Sequence, residues 1–236
     1  MPDVRRYIYN PFSRIVTLFI VLILIILFAF IFFGLVSVAF ARIGFSTSDI
    51  VLLLIATLVG SFINIPLFTL RSHEPVVTDT YVTVFGMTYR VPAITEGSRK
   101  TVIAVNVGGA IIPTGVSLYL FWQFPEIIGL AALGITLVAI VSHLVARPVR
   151  GVGIVSPALV SPIVAAVFAL VASSQLSSVN GAFALAYVSG VLGTLIGADL
   201  TNLRAIKGIG APVASIGGAG TFDGVFLTGI IAVLLT

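Results

Sequence analysis

Two aspartates lie in otherwise apolar sequence, where a carboxylate is uncommon. Asp199 follows the letters LIGA and Asp223 follows AGTF. If these stretches span a bilayer, both side chains are costly to bury and mark a functional site by default. Two carboxyl groups in one apolar pocket share a proton, because like charges that close cannot both ionise. One group then activates a water molecule while the other donates a proton, which is acid–base chemistry suited to peptide hydrolysis.

Glycines flank both aspartates and leave room for a substrate backbone or a water molecule. They are Gly197, Gly220 and Gly224. In a simpler alternative, the first aspartate caps the end of its helix and the second bonds to a neighbouring helix. The available partners of the first are Asn202, Arg204 and Lys207. The sequence leaves both interpretations open.

The composition restricts the class of protein that carries these aspartates. Hydrophobic residues make up 59% of the 236 residues and charged residues only 8%, whereas a soluble domain carries about 25% charged residues. This excludes an ordinary soluble enzyme, a nucleic-acid-binding protein and a disordered chain. With no cysteine and two histidines, the chain lacks the side chains of the common zinc and iron–sulfur sites. We therefore expect a single transmembrane domain over residues 1–236, with membrane lipids as partners and no metal or cofactor.

Seven apolar segments have the roughly 20 residues that a helix needs to cross a bilayer. They cover approximately residues 15–40, 50–69, 102–122, 127–146, 155–173, 182–200 and 217–236. The first is longer than the apolar core of a cleaved signal peptide, so we expect an uncleaved helix. The predicted fold class is an all-α integral membrane protein with about seven transmembrane helices.

Basic residues indicate how these segments are oriented. If the spans alternate and the N-terminus is cytoplasmic, all of the 12 Lys and Arg residues except Arg42 lie on the cytoplasmic side. Cytoplasmic loops of membrane proteins carry such an excess of positive charge. We therefore expect a multi-pass protein of the cell membrane with its C-terminus outside.

The long connection over residues 70–101 is rich in β-branched and aromatic residues. These residues favour strands, and Gly86 is suited to a turn. We expect a small cytoplasmic β-hairpin at about residues 76–105. It either serves as a structured connector or binds an extended peptide along a strand edge.

Three of the predicted spans are interrupted by glycine and proline, at about residues 60–66, 106–113 and 156–162. Interrupted helices allow close packing or form an ion or substrate site. In a second functional hypothesis, polar residues at these breaks and the two aspartates line the path of a cation- or proton-coupled transporter or channel. These residues are Asn64, Asn106, Ser156, Asp199 and Asp223. A non-catalytic membrane protein is the third possibility.

The C-terminal residues 215–229 (SIGGAGTFDGVFLTG) resemble the signature of a prokaryotic membrane-protein family of unknown function, which we expect to be archaeal. The resemblance includes residues 64–66 (NIP) and 105–109 (VNVGG). It implies a membrane location and no particular activity.

About 50 residues also resemble presenilin-type intramembrane aspartyl proteases. That family places one aspartate on a sixth helix and the other on a seventh, as we predict for Asp199 and Asp223, and it has a Pro-Ala-Leu motif. This chain has Phe222 where the family has a second glycine, and its Pro-Ala-Leu precedes the aspartates. The resemblance implies a catalytic aspartate pair and a transmembrane peptide as substrate, and says nothing of the oligomeric state. The residues that it assigns to substrate binding, together with the flanking glycines, are Pro157, Ala158 and Leu159.

Overall fold

The computed structural model describes residues 13–84, 87–149, 153–208, 213–218 and 224–236. Within these ranges the chain forms seven α-helices, two π-helical turns and five strands. The helices are α1 (Arg14–Ile43), α2 (Thr47–Gly60), α3 (Ile112–Gln123), α4 (Ile128–Val145), α5 (Val160–Ala172), α6 (Val179–Thr194) and α7 (Gly224–Leu235). The π turns are π1 (Val107–Ile111), before α3, and π2 (Leu195–Leu200), after α6. The strands are β1 (Asn64–Val84), β2 (Met87–Asn106), β3 (Arg147–Val149), β4 (Gly153–Val155) and β5 (Val213–Ile216).

The described chain is mainly helical with a small sheet, and this part of the predicted fold class is confirmed. Three helical runs are long and apolar enough to cross a membrane, namely Arg14–Ile43, Pro125–Val145 and Val179–Leu200. Three more are apolar but shorter, namely Thr47–Gly60, Val160–Gln175 and Gly224–Leu235. The predicted count of seven transmembrane helices is therefore not confirmed.

Helix α6 forms the centre of the bundle and is buried on nearly all sides. Small residues let its neighbours approach closely, as expected for helices that pack in an apolar environment. A Cβ atom added at Gly193 would lie 2.6 Å from Cβ of Val138 on α4. The α4–α6 contact therefore depends on the absence of a side chain at this position.

Helix α1 packs against the bundle only near its C-terminal end. Its buried residues are Val36, Ala39, Phe40 and Ile43. The ring of Phe40 lies 5.8 Å from that of Tyr187 on α6 and 6.5 Å from that of Phe226 on α7. The most apolar part of α1 is entirely exposed, so its apolar side chains face the surroundings of the protein.

The predicted hairpin is present, and it is longer than the sequence indicated. Strands β1 and β2 pair antiparallel from Asn64 opposite Asn106 to Val84 opposite Met87. Strand β5 adds to the other side of β2 in parallel. The last six residues of the predicted span 50–69 thus belong to β1, because α2 ends at Gly60, β1 begins at Asn64 and Pro66 has no N–H group to continue a helix.

Two other predicted spans begin as strands. The segment predicted over 102–122 starts with the last residues of β2, continues through π1 and becomes α-helical at Ile112. The segment predicted over 155–173 starts with β4 and becomes helical only at Val160. The segment predicted over 217–236 follows β5, and its described helix, α7, begins at Gly224, with residues 219–223 outside the described residues. Strand β5 is followed by Gly217 and Gly218, whose φ angles of 78° and 81° suit glycine and little else.

The two ends of the bundle differ in structure. At one end, which we call the Arg42 end, the side chain of Glu126 in the α3–α4 turn accepts hydrogen bonds from Ser177 and Ser178 in the α5–α6 turn. The sheet, both π turns and the end of α2 lie at the other end, which we call the hairpin end. The chain therefore alternates between two ends, as a multi-pass arrangement requires.

Arg42 joins three helices at its end of the bundle. Its Nη1 atom donates to the carbonyl oxygens of Val233 and Leu234, at 3.2 and 3.3 Å, and its guanidinium lies 5.4 Å from the ring centre of Phe183. A cation at this position also complements the negative end of the α7 dipole.

We expect Arg42→Ala to lower the free energy of unfolding by about 1–2 kcal/mol, because charged hydrogen bonds and a cation–π contact are lost. For a chain of this size, the expected decrease in melting temperature is about 2–6 °C. Thermal unfolding in detergent measures the effect. Arg14→Ala, at the other end of the same helix, is the matched control and should change the melting temperature by less than about 1 °C.

Candidate functional site

Asn106 is fully buried and connects three segments at the hairpin end. Its Nδ2 atom donates to the carbonyl oxygen of Ser61 at 2.7 Å and to Oδ1 of Asn64 at 3.1 Å. Its Oδ1 atom accepts from the N–H of Gly109 at 2.7 Å. One side chain thus holds together the end of α2, the start of β1 and the first residues of π1.

Asn64 extends this network to the third strand of the sheet. Its Oδ1 atom also accepts a hydrogen bond from the hydroxyl of Ser215 on β5. The N–H of Val107 donates to the carbonyl oxygen of Ile63 at 3.0 Å. We call the set Ser61, Asn64, Asn106 and Ser215 the polar junction. Its groups bond mainly to each other and to nearby backbone, which is the least costly arrangement for polar atoms in an apolar protein.

Two glycines of π1 make the junction possible by letting backbones touch. A Cβ atom added at Gly108 would overlap the carbonyl oxygen of Thr57 on α2, and one added at Gly109 would overlap that of Gly217. Any other residue at these positions forces the segments apart. The VNVGG sequence therefore has a steric role in addition to its hydrogen bonds.

Asp199 lies in π2 and is connected to the chain beyond β5. Its Oδ2 atom accepts a hydrogen bond from the N–H of Gly217 at 2.7 Å. Gly217 also contacts π1 beside the polar junction. A backbone N–H bond to a carboxylate is strong and directional, so it fixes the orientation of this carboxyl group.

The predicted capping partner of Asp199 has a different role. The side chain of Asn202 donates to the backbone carbonyl oxygens of Gly197 and Ala198, at 3.1 and 3.0 Å. These carbonyls lie near the end of the helix, where no further backbone N–H group of the helix is available to bind them. The asparagine thus caps the helix itself, and the carboxylate of Asp199 bonds instead to a segment 18 residues later.

His143 on α4 supports the same turn from the other side. The hydroxyl of Thr201 donates to the carbonyl oxygen of Gly197 at 2.6 Å, and Nδ1 of His143 lies 2.8 Å from that hydroxyl oxygen. The ends of α4 and π2 are therefore hydrogen-bonded two residues from Asp199.

The other residues predicted for the site are placed as follows. Asp223 and Gly220 lie outside the described residues. Gly197 packs against the backbone of Ala139 on α4, which gives it a structural reason to be glycine. Gly224 is exposed at the start of α7, where an added Cβ atom would meet no atom of the described residues within 4 Å. The exposed turn between β4 and α5 contains Pro157, Ala158 and Leu159. The substrate-binding roles of these residues stay predictions.

Sequence reasoning identified Asn64, Asn106 and Asp199 but missed Ser61, Ser215 and the N–H of Gly217. A serine in an apolar run carries little signal, and a backbone N–H carries none. Ser156, which we grouped with the asparagines, is half-buried after β4, and its hydroxyl has no role in the polar junction as described. The described residues contain no group of three or more His, Asp or Glu side chains that could hold a metal ion.

We expect Asn106→Ala to destabilise the protein by about 2–4 kcal/mol, because it leaves the buried Gly109 N–H and Ser61 carbonyl without partners. Thermal unfolding in detergent measures the loss. Asn180→Ala is the matched control, because Asn180 is exposed at the Arg42 end, and we expect it to cost less than about 0.5 kcal/mol. Equal effects of the two substitutions would show that the polar junction is not important for stability.

Comparisons with known proteins complete the description. Residues 58–235 match the family described as "Protein of unknown function (DUF1614)", which fits the expected family of unknown function. The matched range contains every residue of the polar junction and both aspartates. No curated protein and no solved structure matches the chain. Because the match covers well over half of the sequence, the chain belongs to the DUF1614 family of proteins of unknown function.

Proposed function

We propose that this protein is an integral membrane protein that hydrolyses peptide bonds within the bilayer, with Asp199 and Asp223 as its catalytic pair. The observation that carries the proposal is the hydrogen bond between the carboxylate of Asp199 and the N–H of Gly217. It brings the first aspartate to the segment that leads, six residues later, to the second. Apolar helices with exposed apolar side chains support the membrane location.

Helix geometry supports the same pairing. Gly190 on α6 lies beside Thr228 on α7. Asp199 is nine residues after Gly190, which is about 13 Å along the axis of α6. Gly224 is four residues before Thr228, which is about 6 Å along α7 toward the same end of the bundle. Helix α7 therefore starts about 7 Å short of the level of Asp199. Asp223 directly precedes Gly224 in the sequence, and the described start of α7 lies at the same end of the bundle as Asp199.

The proposed chemistry uses one shared proton. The ionised carboxylate removes a proton from water, and the water oxygen attacks the carbonyl carbon of the substrate. The protonated carboxyl group gives its proton to the carbonyl oxygen. Collapse of this intermediate breaks the C–N bond: the leaving nitrogen takes up the proton that was removed from water, and a hydroxyl of the intermediate returns its proton to the other carboxylate as the C=O bond reforms. The Gly217 N–H holds Asp199 in one orientation throughout, which lowers the cost of alignment.

The remaining predicted residues complete the proposed site. The open space at Gly224 leaves room for substrate, and the exposed turn with Pro157, Ala158 and Leu159 would shape a neighbouring wall. The presenilin-type resemblance contributes this assignment. An unwound transmembrane peptide is the proposed substrate, since only an extended backbone exposes its carbonyl carbon to attack.

We expect Asp199→Asn and Asp223→Asn each to reduce cleavage of a transmembrane peptide by about 10²-fold or more, because each removes one half of the acid–base pair. Purified protein in detergent, with mass spectrometry of the products, measures the rate. Asp49→Asn is the matched control, because Asp49 lies in the first turn of α2, and it should retain full cleavage. Persistence of cleavage in either variant at position 199 or 223 would falsify the proposal.

A cation- or proton-coupled transporter is the second candidate function. It is favoured by the two π turns, which meet through Gly217 beside a cluster of side-chain oxygens. Against it, the amide groups of Asn106 are already bonded to protein partners, which leaves them poor ligands for an ion. Ion uptake into proteoliposomes that Asp223→Asn abolishes, without any peptide cleavage, would select this function. If neither Asp→Asn change alters any activity of the protein, the third possibility, a non-catalytic role for these residues in a membrane protein, is favoured.

The proposed orientation has its own test. The N-terminus and the hairpin end are cytoplasmic, and the Arg42 end, including the C-terminus, faces outside. Reporter fusions at positions 45, 125 and 177 should report an external location, and fusions at 85, 150 and 210 a cytoplasmic one. A cytoplasmic signal at 125 or 177 contradicts this orientation.

A further inference from the structure

An apolar groove of about 440 Å³ lies between the sheet, α3 and π2. Its lining includes Leu67, Ile111, Gly115, Leu195, Leu200 and Ile216. We call it the α3–π2 groove. Its volume falls in the range of about 300–1,000 Å³ that is typical of sites for small ligands.

The groove borders the segment that orients Asp199. Leu200 is the next residue after Asp199, and Ile216 directly precedes Gly217, whose N–H binds the aspartate carboxylate. Each partner of that hydrogen bond is thus next in sequence to a residue that lines the groove. A peptide that inserts an apolar side chain into the groove would therefore have its backbone close to Asp199.

The opening of the groove lies among exposed apolar side chains. Leu67, Leu118 and Leu200 line it, and their side chains are 54%, 61% and 41% exposed. An apolar molecule in a surrounding bilayer reaches this opening without crossing a polar surface.

Two features of the lining suit a peptide better than a lipid chain. Leu67 is the extra residue of a β-bulge, since the pairing of β1 with β2 shifts between Pro66 and Phe68. A bulge leaves its extra residue without a ladder partner. Thr114 adds the hydroxyl of a polar side chain to the lining. A peptide backbone can hydrogen-bond to such groups, and a hydrocarbon chain cannot.

We propose that the α3–π2 groove binds a large apolar side chain of the peptide substrate, next to the bond that is cleaved, and so determines which peptides are accepted. This inference rests on the proposed function and assigns the substrate specificity of that function to the groove. Gly115 and Leu118, both on α3, would set the size of the side chain that fits. A Cβ atom added at Gly115 meets no atom within 4 Å, so a larger residue there enters open space.

The first test measures binding without turnover. The full-length Asp199→Asn protein in lipid nanodiscs is photolysed with transmembrane peptides that carry one benzoylphenylalanine at successive positions. We expect crosslinks to Leu118 or Leu200 from one or two adjacent positions only. Crosslinks that map only elsewhere overturn the inference. So does labelling of the groove by a photoreactive phospholipid but not by any peptide, which would identify a lipid site.

The second test measures selectivity among peptides that carry Ala, Leu or Phe beside the cleaved bond. Gly115→Leu narrows the groove and should lower the Phe-to-Ala cleavage ratio by about tenfold, whereas Leu118→Ala widens it and should raise the ratio. The matched controls on α4 are Gly129→Leu, where an added Cβ atom also meets nothing, and Leu133→Ala, where the side chain is 63% exposed. Both should leave the ratio unchanged.

The two tests separate the inference from the proposed function. Unchanged ratios in both α3 variants, with cleavage intact, overturn the groove assignment and leave the catalytic pair standing. Peptide crosslinks in the groove without cleavage by the unmodified protein overturn the catalytic pair and leave the groove as a peptide-binding site.

Discussion

The buried side-chain amide of Asn106 binds backbone groups that are left without partners where a helix ends. Backbone groups at a helix end have lost their intrahelical partners and, in apolar surroundings, have no water to bind. Asn106 supplies a donor to the carbonyl of Ser61 and an acceptor to the N–H of Gly109. The change from helix to strand and from strand to π turn can therefore occur in one place without leaving polar groups unpaired.

The rest of the hairpin end depends on this arrangement. Because β1 and β2 are held at their open end by the pair Asn64 and Asn106, the sheet has a fixed position relative to α2 and α3. Strand β5 pairs with β2, and the bond between Ser215 and Asn64 connects it to β1 as well. The residue that follows β5 binds the carboxylate of Asp199. The orientation of the proposed catalytic group thus follows, through a short series of contacts, from the polar junction.

Glycine has two separate roles in this region. Gly108 and Gly109 permit backbone contacts that any side chain would prevent, whereas Gly217 adopts a positive φ angle that turns the chain after β5. Gly115 belongs to neither class, because the space around it is open. Gly115 lines the α3–π2 groove. Because no close contact requires a glycine at this position, we assign it to a binding surface.

The sequence by itself determined the apolar class, the mainly helical architecture and the presence of a hairpin, and it singled out Asn64, Asn106 and Asp199 as candidate site residues. Each of these follows from local composition or from a polar residue in an apolar run. The boundaries of the helices did not follow, because a buried strand and a buried helix have the same hydropathy. The chain changes from helix to strand after Gly60 and from strand to π turn at Asn106 only because the side chain of Asn106 binds the freed carbonyl of Ser61, 45 residues away, and the N–H of Gly109. The bond from Gly217 to Asp199, a backbone atom to a side chain 18 residues away, likewise has no sequence signature, since every residue other than proline offers the same N–H group.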